Sequence, residues 1–430
     1  FFFTQKTAYE ILSGLVGSEM CIRDRISTVL KWRSFMRLEE SEIEAPRLGE
    51  PFLLTPGPLT TSYDTKSAML KDWGSWDGDF RQMTQLMRDQ LIEMLGSGNE
   101  SFDCVPMQGS GSFSVEAMLG SFVPKDGKVL VLSNGAYGQR AAKTLKYLKR
   151  DHIVLDKGDY LPPRGEEVAE ILATDNDITH VVAVHCETSS GILNPIEEIS
   201  VATYNAGRKL LIDSMSAFGA ILVEPNKIKF EAIVSSANKC IEGVPGFGFI
   251  LARKSALEAA EGNSHSLCLD LHDQWSHMNK TGQWRYTPPT HVLAAFLVAL
   301  ESHRKEGGVT GRGARYTKNQ NALVSGMRSI GFETLLGERW LSPIIVTFFC
   351  PADPSFEFTK FYDLMKSKGF IIYPGKLTVV ESFRIGCIGQ MDEQIMLKVV
   401  DAARESLREM GVTDASPPSK ALEERKRLQS

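Results

Sequence analysis

Short apolar runs alternate with amphipathic stretches through the middle of the chain. The apolar runs are rich in Val, Ile and Leu, a composition typical of strands buried on both faces of a parallel sheet. The stretches between them carry apolar residues at helical spacing. The pattern therefore predicts a doubly wound α/β sheet flanked by helices. The predicted strands are residues 128–134, 152–156, 179–185, 209–213 and 231–236, and the predicted helices are residues 137–149, 164–174 and 196–206.

The pattern changes after residue 305. Residues 246–253 predict one more strand, and residues 290–305 predict a long helix that ends before Gly307 and Gly308. Beyond this helix the order of elements is typical of a smaller α+β domain. We predict helices at residues 316–330, 356–368 and 393–410, and strands at residues 344–349, 370–373 and 383–388.

These changes divide the chain into segments. Residues 51–305 form the predicted large domain, and its first part, residues 51–65, is an irregular segment rich in Pro, Gly and Thr. Residues 306–412 form the predicted small C-terminal domain. The polar tail at residues 413–430 contains two adjacent prolines and is expected to be disordered.

The N-terminal residues need separate treatment. Residues 1–25 resemble an in-frame translation of a sequencing adapter, so they take no part in the fold prediction. Residues 26–50 are interpreted as an N-terminal extension. Within it, residues 26–37 lack acidic side chains and contain three basic ones, a composition that mitochondrial presequences share. An ordinary extension is the preferred interpretation, so we expect a cytoplasmic protein, with a mitochondrial one as the alternative.

Composition and charge narrow the class of partner. The chain has 430 residues, of which 43% are apolar, and a net charge of -5 from 53 acidic and 48 basic residues. This balance gives no reason to expect nucleic acid or an anionic membrane, so a small molecule is the expected partner. The seven cysteines show no C-x-x-C spacing, which argues against a disulfide framework and against a zinc site. No apolar run approaches the ~20 residues needed to cross a bilayer.

Polar residues follow the predicted strands, at the edge where open α/β sheets bind ligands. In the segment QGSGSFSVEAML, Ser110, Gly111 and Ser112 precede a helix whose N-terminal amides and dipole favour a phosphate. A generic flexible turn explains these residues equally well. The segment is neither a G-x-G-x-x-G motif nor a Walker loop, which argues against dinucleotides and nucleoside triphosphates.

Asp213 and Lys239 are the two candidate catalytic residues. Asp213 ends an apolar strand, where a carboxylate loses solvent and needs a cationic or hydrogen-bonding partner such as a protonated pyridine nitrogen. Lys239 follows the next predicted strand, and a lysine with a depressed pKa in a pocket can form an imine with an aldehyde. A helix-capping aspartate and a solvated lysine are the structural alternatives. The strand pattern predicts that both residues face one crevice.

Two further residues have a chemical reason to line that crevice. Tyr137 has a glycine close by on either side, so its ring can approach a flat heterocycle, and a core tyrosine is the alternative. Arg384 lies on a predicted strand among apolar residues, where a guanidinium needs an anion such as a carboxylate or a phosphonate. A structural salt bridge explains Arg384 equally well.

With these residues in order, the chain resembles the class V aminotransferases of the fold-type-I pyridoxal-phosphate superfamily, over residues 51–410. The resemblance implies an α/β fold with a mainly parallel seven-stranded sheet sandwiched by helices. It also implies pyridoxal 5'-phosphate as the cofactor and a homodimer. It rests on nine ordered motifs: LLTPGPLTTS, LKDWGSWDGDF, MQGSGSFSVEAML, LSNGAYGQR, HCETSSGILNP, IDSMSAFGA, SSANKCIEGVPGFGFILAR, QWRYTPPTH and GFIIYPGKL with ESFRIGCIG.

The resemblance implies a role for each candidate residue. Lys239 would form the Schiff base with the cofactor, and Asp213 would pair with the pyridinium nitrogen. Tyr137 would stack on the ring, Thr188 would lie near its phenolic oxygen, and Arg384 would hold the substrate carboxylate. The phosphate site would be lined by Ser110, Gly111, Ser112, Asn238 and the partner subunit's Thr287.

The implied reaction is transfer of the amino group from 2-aminoethylphosphonate to pyruvate, which gives phosphonoacetaldehyde and L-alanine in phosphonate catabolism. An alanine:glyoxylate or serine:pyruvate aminotransferase, with the same cofactor, is the alternative within the family. A cysteine desulfurase-like lyase needs a cysteine on a mobile loop, whereas Cys350 lies at the end of one predicted strand and Cys387 lies in another. The presence of both Asp213 and Lys239 disfavours a binding module without catalysis.

Overall fold

A seven-stranded sheet is the central feature of the computed structural model, which describes residues 49–375 and 380–429. One strand runs antiparallel to both of its neighbours, and the remaining neighbouring pairs are parallel. The mainly parallel seven-stranded sheet is therefore confirmed. In spatial order the strands are β2 (Phe102–Gln108), the antiparallel β10 (Phe247–Arg253), β9 (Ala232–Ser236), β8 (Lys209–Asp213), β5 (Ile178–Val184), β3 (Lys128–Ser133) and β4 (Asp151–Asp156).

Strand β2 is the one strand of this sheet that the apolar pattern does not predict. It contains Pro106, and a proline inside a run argues against a central strand because it removes a ladder hydrogen bond. In the structure β2 pairs with β10 alone, with Pro106 opposite Phe249. An edge strand tolerates proline in this way. The proline therefore argues against a strand in the sequence, yet the strand forms.

Helices lie on both faces of the sheet because the strands are apolar on both faces. On β10, Ile250 belongs to a buried cluster with Met118 and Leu145, whereas the ring of Phe249 lies 6.1 Å from the ring of Phe296. The helices of this part are α1 (Tyr63–Ser67), α2 (Gly78–Glu93), α3 (Gly111–Phe122), α4 (Ala136–Tyr147), α5 (Gly165–Thr174), α6 (Ile196–Asn205), α7 (Lys254–Ala259), α8 (Leu271–Thr281) and α9 (Thr290–Lys305).

A three-stranded antiparallel sheet forms the C-terminal part, with β14 (Ser382–Gly386) between β11 (Ile345–Phe349) and β13 (Tyr373–Pro374). Its core is aromatic, since the ring of Phe383 lies 5.4 Å from the rings of both Phe332 and Phe361. The accompanying helices are α10 (Gly308–Ser329), α11 (Phe358–Ser367) and α12 (Glu393–Met410).

Helix α10 begins well before the predicted residue 316. Its first turns contain Gly311 and Gly313, and glycines interrupt the apolar periodicity that reveals a helix. Gly313 lies so close to a neighbouring strand connection that a Cβ there would collide with the carbonyl oxygen of Ala220. The glycines that obscure the start of helix α10 in the sequence therefore allow the helix to pack closely against Ala220.

Short elements complete the structure. Strand β1 (Phe52–Leu53) pairs in parallel with β12 (Phe370–Ile371), which attaches the start of the described chain to its C-terminal part. Strands β6 (Cys186–Glu187) and β7 (Ile192–Leu193) pair around the turn at residues 188–191. Single 3₁₀ turns lie at Ala68–Leu70, Asn99–Ser101 and Glu338–Trp340.

The C-terminal tail differs from the expectation of disorder, because it contains helix α13 (Ser419–Gln429). The two adjacent prolines precede the helix, where a missing N–H costs nothing, and the carbonyl of Pro418 accepts from Ala421 N at 2.9 Å. Gln429 Nε2 donates to the carbonyl of Tyr160 at 2.9 Å, and Arg425 Nη1 donates to the carbonyl of Thr334 at 2.6 Å. The polar composition predicted disorder because it does not reveal these anchoring contacts.

Two sequence predictions fall outside this structure. The adapter-like residues 1–25 and the basic segment at residues 26–37 lie outside the described residues. Among the helices that the structure describes, none combines the length and the apolarity needed to span a bilayer.

Candidate active site

The carboxyl ends of neighbouring parallel strands meet at one edge of the sheet. Asp213, the last residue of β8, lies beside Val184 of β5 and Val234 of β9. Because β5 and β9 flank β8, the turn that carries Thr188 and the turn that carries Lys239 both start beside Asp213. The predicted crevice is therefore built from residues that follow β5, β8 and β9.

Asp213 is a buried carboxylate with few hydrogen-bond donors. Its Oδ1 accepts from the backbone N–H of Met215 at 3.0 Å. Burial raises the pKa of Asp213 to about 6 and Glu187 adds to the rise, whereas the Met215 N–H and the cations Arg140 and Lys239 lower it. A carboxylate in such surroundings is stabilised by a cationic hydrogen-bond donor, and a protonated ring nitrogen is one.

Lys239 lies in the turn after β9 and is half-buried. Its Nζ donates to the carbonyl of Pro56 at 2.7 Å and to the carbonyl of Gly57 at 3.2 Å. Burial lowers the pKa of Lys239 to about 8, while Cys240 and Asp213 oppose the fall. The amine is thus partly neutral near physiological pH, as attack on an aldehyde requires.

A buried charge cluster holds the turn that carries Lys239. Glu242 has a left-handed backbone, with a φ of 63°, and its N–H donates to the carbonyl of Lys239 at 2.8 Å. The Glu242 carboxylate accepts from the hydroxyl of Tyr316 at 2.6 Å and from Nη2 of Arg315 at 2.8 Å. Arg312 Nη1 also donates to the carbonyl of Cys240 at 2.5 Å. These side chains of helix α10 therefore hold the turn that carries Lys239 in place.

The residues predicted as a phosphate cradle lie at the N-terminus of helix α3. Ser110 precedes the helix without a side-chain capping bond, and Ser112 Oγ accepts from Nη1 of Arg140 at 3.2 Å. A Cβ at Gly111 would lie 2.5 Å from the sulfur of Met215, so a larger residue here would require the Met215 side chain to move. Free helix N–H groups, two hydroxyls and an arginine suit a phosphate monoester.

Asn238 lies in the turn after β9, directly before Lys239. It is half-buried, and its Oδ1 accepts from Ser236 Oγ at 3.1 Å. This bond leaves the Asn238 amide N–H groups available to a ligand. The turn after β9 therefore places an amide donor next to Lys239.

Tyr137 lies in the first turn of helix α4, and Glu187 anchors that turn. The buried Glu187 carboxylate accepts from the N–H of Tyr137 at 3.0 Å and from Oγ of Ser189 at 2.5 Å. Burial raises the pKa of Glu187, while the Ser189 hydroxyl and these backbone N–H groups lower it. The guanidinium of Arg140 lies 4.9 Å from the centre of the Tyr137 ring. Stacking of this ring on a cofactor stays a prediction.

Thr188 directly follows Glu187 and carries an orphaned hydroxyl. Its Oγ1 is buried and has no hydrogen-bond partner among the described residues. A buried hydroxyl without a partner is costly, so it marks a place where a ligand's polar atom belongs. Thr287, by contrast, is exposed, and none of the described hydrogen bonds links its side chain to the other candidates.

Arg384 is buried on β14, with 2% of its surface exposed. Its Nε and Nη2 donate to the carbonyl of Pro374 at 3.0 and 2.8 Å, and its Nη1 donates to the carbonyl of Thr188 at 2.8 Å. Burial lowers the pKa of Arg384, opposed by Tyr137, Tyr373 and Glu187. Within the described chain all its hydrogen bonds go to main-chain carbonyls, so the alternative of a structural salt bridge finds no support there.

Sequence reasoning missed several residues of this site. Glu187 and His185 lie in the stretch VVAVHCETSS, whose buried polar residues follow a strand and were a usable signal. His185 Nδ1 lies 3.0 Å from Ser214 Oγ, and burial lowers the pKa of His185 to about 4, so the ring is neutral. The carbonyls of Pro56 and Gly57 have no sequence signal of their own, because main-chain acceptors occur at every residue.

The side chains present fit pyridoxal 5'-phosphate. An aldehyde needs an amine of depressed pKa (Lys239), a pyridinium needs a buried carboxylate (Asp213) and a phosphate needs the start of helix α3. The orphaned hydroxyl of Thr188 would supply a donor for the remaining phenolic oxygen. Each polar group of the cofactor therefore has a matching group in this crevice.

Known proteins resemble this chain in sequence and in fold. The family profile described as aminotransferase class-V matches residues 79–355. The 2-aminoethylphosphonate–pyruvate transaminase of Rhizobium meliloti (strain 1021) is 70% identical over 89% of this chain and 100% of that protein. The 2-aminoethylphosphonate–pyruvate transaminase 1 of Paraburkholderia xenovorans (strain LB400) is 67% identical over 89% of this chain and 98% of that protein.

Among solved structures, pyridoxamine-pyruvate aminotransferase from Mesorhizobium loti superimposes with a TM-score of 0.78 at 21% sequence identity, over 90% of this chain and 98% of that one. This likeness confirms the fold predicted from the sequence. Together with the profile match and the relatives of high identity, it establishes that the chain belongs to the class V aminotransferases, a family of enzymes that depend on pyridoxal 5'-phosphate.

Proposed function

We propose that this aminotransferase transfers the amino group of 2-aminoethylphosphonate to pyruvate, giving phosphonoacetaldehyde and L-alanine. The relatives at 70% and 67% identity carry this activity in their names. The observation that carries the proposal is the buried guanidinium of Arg384, joined through Thr188 to the crevice that holds Asp213 and Lys239. Both substrates bring an anionic group that such a guanidinium can bind.

The hydrogen bonds of Arg384 leave a defined part of it for a substrate. A guanidinium has five N–H groups, and three of those of Arg384 point at the carbonyls of Pro374 and Thr188. Among the described residues, one N–H on each terminal nitrogen has no hydrogen-bond acceptor. Two parallel donors match two oxygens of a carboxylate or of a phosphonate. We propose that Arg384 binds the phosphonate in one half-reaction and the pyruvate carboxylate in the other.

Lys239 and Asp213 then have complementary roles. When bound, pyridoxal phosphate supplies an aldehyde that receives the amino group and a ring that accepts electron density. Asp213 holds the proton of the ring nitrogen in place and so keeps the ring electron-deficient. Lys239 Nζ would take up the proton from the substrate carbon that bears the amine, acting as a general base, and would release it again as a general acid.

The remaining site residues serve the cofactor in this proposal. The hydroxyl of Thr188 donates to the phenolic oxygen, and the Tyr137 ring stacks on the pyridine ring. The phosphate is held by Ser110, Gly111, Ser112, Asn238 and the partner subunit's Thr287.

A homodimer is part of the proposal because the cradle is open on one side. Ser110 and Ser112 are exposed, and Phe113 beside them has 52% of its surface exposed. Tyr286, which precedes Thr287, is 45% exposed. Aromatic side chains exposed next to a phosphate site suit contact with a second copy.

We further propose two domains, at residues 51–305 and 306–412. We also propose a cytoplasmic location, and the two relatives named above come from bacteria.

A donor comparison tests the proposed substrate. The purified chain is loaded with pyridoxal phosphate and offered 2-aminoethylphosphonate, L-alanine or L-serine, each with pyruvate or glyoxylate as acceptor. We expect 2-aminoethylphosphonate with pyruvate to give the highest kcat/KM and equimolar L-alanine and phosphonoacetaldehyde. If 2-aminoethylphosphonate is inert while alanine reacts with glyoxylate, the chain is an alanine:glyoxylate aminotransferase and the proposal is wrong.

A further inference from the structure

Residues 55–60, the TPGPLT loop, owe their shape to their own side chains. Thr60 Oγ1 accepts from the N–H of Leu53 at 2.8 Å, which closes the loop at its base. Thr55 Oγ1 accepts from the N–H of Gly57 at 3.3 Å and donates to the carbonyl of Pro58. Both threonines are buried. Prolines lack an N–H, so these hydroxyls supply the internal bonds that the main chain cannot make.

One side of the TPGPLT loop contacts Lys239. The carbonyls of Pro56 and Gly57 accept the two hydrogen bonds of Nζ, at 2.7 and 3.2 Å. Gly57 has a φ of 103°, and a Cβ there would lie 2.6 Å from Cδ and 2.8 Å from Nζ of Lys239. Any residue other than glycine would therefore displace the lysine side chain or the loop.

The other side of the loop contacts the segment that carries Arg384. The N–H of Gly386 donates to the carbonyl of Leu54 at 2.9 Å, and the N–H of Gln390 donates to the carbonyl of Thr60 at 2.8 Å. A Cβ at Gly386 would lie 2.6 Å from the carbonyl oxygen of Thr55. The loop is thus packed between Lys239 and the strand on which Arg384 lies two residues before Gly386.

We propose that the TPGPLT loop is a positioning element for the amine of Lys239 during proton transfer. A tetrahedral amine nitrogen has four directions: one holds the bond to Cε, and two hold the N–H groups that point at Pro56 and Gly57. The fourth direction carries a lone pair in the base form and a proton in the acid form. The two carbonyls therefore fix the direction in which Nζ receives or delivers its proton.

The same contacts relate the amine to the substrate. Because the loop is bonded to the Arg384 segment, a shift of either one displaces Nζ relative to the anion-binding arginine. Proton transfer depends steeply on such alignment, and a misplacement of about 1 Å costs about 100-fold in rate. The inference rests on the proposed role of Lys239 as the proton carrier.

The first test compares Gly57→Ala with Gly307→Ala. The two glycines have nearly the same backbone, with φ of 103° and 101°, but a Cβ at Gly307 would meet nothing closer than 3.6 Å. Single-turnover rates are measured with 2-aminoethylphosphonate deuterated at the carbon that bears the amine, so that the isotope effect identifies the proton-transfer step. We expect Gly57→Ala to slow that step about 100-fold, with KM changed less than about threefold, and Gly307→Ala to leave it unchanged.

A second readout needs no cofactor. Competitive acetylation of the cofactor-free chain, followed by peptide mass spectrometry, gives the pH at which Lys239 becomes reactive. In the unchanged chain we expect a midpoint of about 8. In Gly57→Ala the displaced side chain moves towards solvent, so the midpoint rises towards the ordinary lysine value of 10.5.

Thr55 provides a variant with a milder packing change. Thr55→Val removes the hydroxyl that bonds to Gly57 and Pro58 inside the loop, and Thr55→Ser keeps it. We expect the valine variant to slow proton transfer about tenfold and the serine variant to restore most of the rate. A loss of rate through general instability would instead lower the melting temperature and affect both variants alike.

The outcomes separate the two proposals. If borohydride reduction still traps the cofactor on Lys239 and both Gly57→Ala and Thr55→Val transfer protons at the original rate, the loop has no positioning role and the inference is wrong. If the cofactor is trapped on another lysine, or Lys239→Ala retains its turnover, the proposed function of Lys239 itself is wrong.

Discussion

Arg384 Nη1 donates a hydrogen bond of 2.8 Å to the main-chain carbonyl of Thr188. The two residues belong to different sheets, since Arg384 lies on β14 and Thr188 follows β5 and β6 of the region around the central sheet. Through this bond a guanidinium from the C-terminal part reaches the strand edge that holds Asp213. The anion site that we propose at Arg384 and the amine site that we propose at Lys239 would thus be parts of one crevice.

Replacement of Arg384 by lysine is predicted to impair both half-reactions. Lysine keeps the positive charge and loses the planar pair of donors, so a bidentate hydrogen bond to phosphonate or carboxylate is lost. We expect kcat/KM for 2-aminoethylphosphonate and for pyruvate to fall by roughly 10- to 100-fold each, the equivalent of about 1.5–3 kcal/mol. Each half-reaction is measured by stopped-flow absorbance of the cofactor. Arg404→Lys, on the exposed face of α12, is the matched control, and an effect on one half-reaction alone would show that Arg384 does not serve both.

Replacement of Asp213 by asparagine is predicted to stabilise the cofactor-free chain above neutral pH. The pKa of Asp213 is raised from 3.8 to about 6, so the folded chain binds this proton more tightly than the unfolded chain does. Stability is therefore lost as pH rises from about 4 to about 6, and the loss reaches about 3 kcal/mol at higher pH. A neutral asparagine side chain at this position carries no such penalty.

Urea unfolding at about pH 8 and about pH 5 measures this effect. The stability gained by Asp213→Asn should be largest at the higher pH and should shrink at the lower one, while the loaded enzyme loses its turnover. Asp363→Asn, an exposed change on α11, should do neither. A variant that is destabilised equally at both pH values would contradict the assignment of Asp213 as a desolvated carboxylate.

Replacement of Thr188 by valine is predicted to separate stability from cofactor binding. Valine has the same shape and removes a buried hydroxyl that has no partner among the described residues. We expect the free energy of unfolding of the cofactor-free chain to stay constant or to rise by about 1 kcal/mol. The affinity for pyridoxal phosphate, measured by fluorescence titration, should fall, and Thr188→Ser should preserve it. Unchanged affinity in the valine variant would mean that the hydroxyl does not face the cofactor.

Replacement of Glu242 by glutamine is predicted to be strongly destabilising. The Glu242 carboxylate faces Arg312, Arg315 and Tyr316 in a buried cluster, and loss of its charge leaves the two guanidinium groups sharing the carboxylate of Glu306. Breaking a buried pair in this way costs about 3–5 kcal/mol, whereas an exposed pair contributes about 0–1 kcal/mol. Glu409→Gln removes the exposed partner of Lys368 and serves as the control. Equal unfolding free energies for the two variants, measured in urea, would rule out this role for the cluster.

Most of the central sheet was predictable because its strands are buried on both faces. Such strands are continuous apolar runs, and Asp213 and Lys239 stand out as charges directly after them. Strand β2 was not predicted because Pro106 argues against a strand, although the edge position of β2 in the sheet tolerates a proline. The helix at the C-terminus was missed because its stability comes from contacts such as Gln429 with Tyr160, which no local pattern contains.

The site was predictable wherever a side chain had to carry charge or an aromatic ring. Arg384 among apolar residues signals an anion, and the structure brings it to Thr188 as a buried guanidinium without a partner carboxylate in the described chain. The carbonyls of Pro56 and Gly57 were beyond prediction, since every residue has a carbonyl and only the fold decides which ones meet Lys239. Glu187 had a sequence signal as a polar residue after a strand, but its contact with the N-terminus of α4 is decided by the fold.

The first half-reaction, followed on its own, tests the central claim most directly. The chain loaded with pyridoxal phosphate is mixed with 2-aminoethylphosphonate in the absence of pyruvate, and the visible absorbance of the cofactor and the aldehyde released are both recorded. The account predicts that the visible band disappears with one phosphonoacetaldehyde formed per bound cofactor, that pyruvate restores the band with formation of L-alanine, and that Lys239→Ala does neither. A band that 2-aminoethylphosphonate leaves unchanged would contradict it.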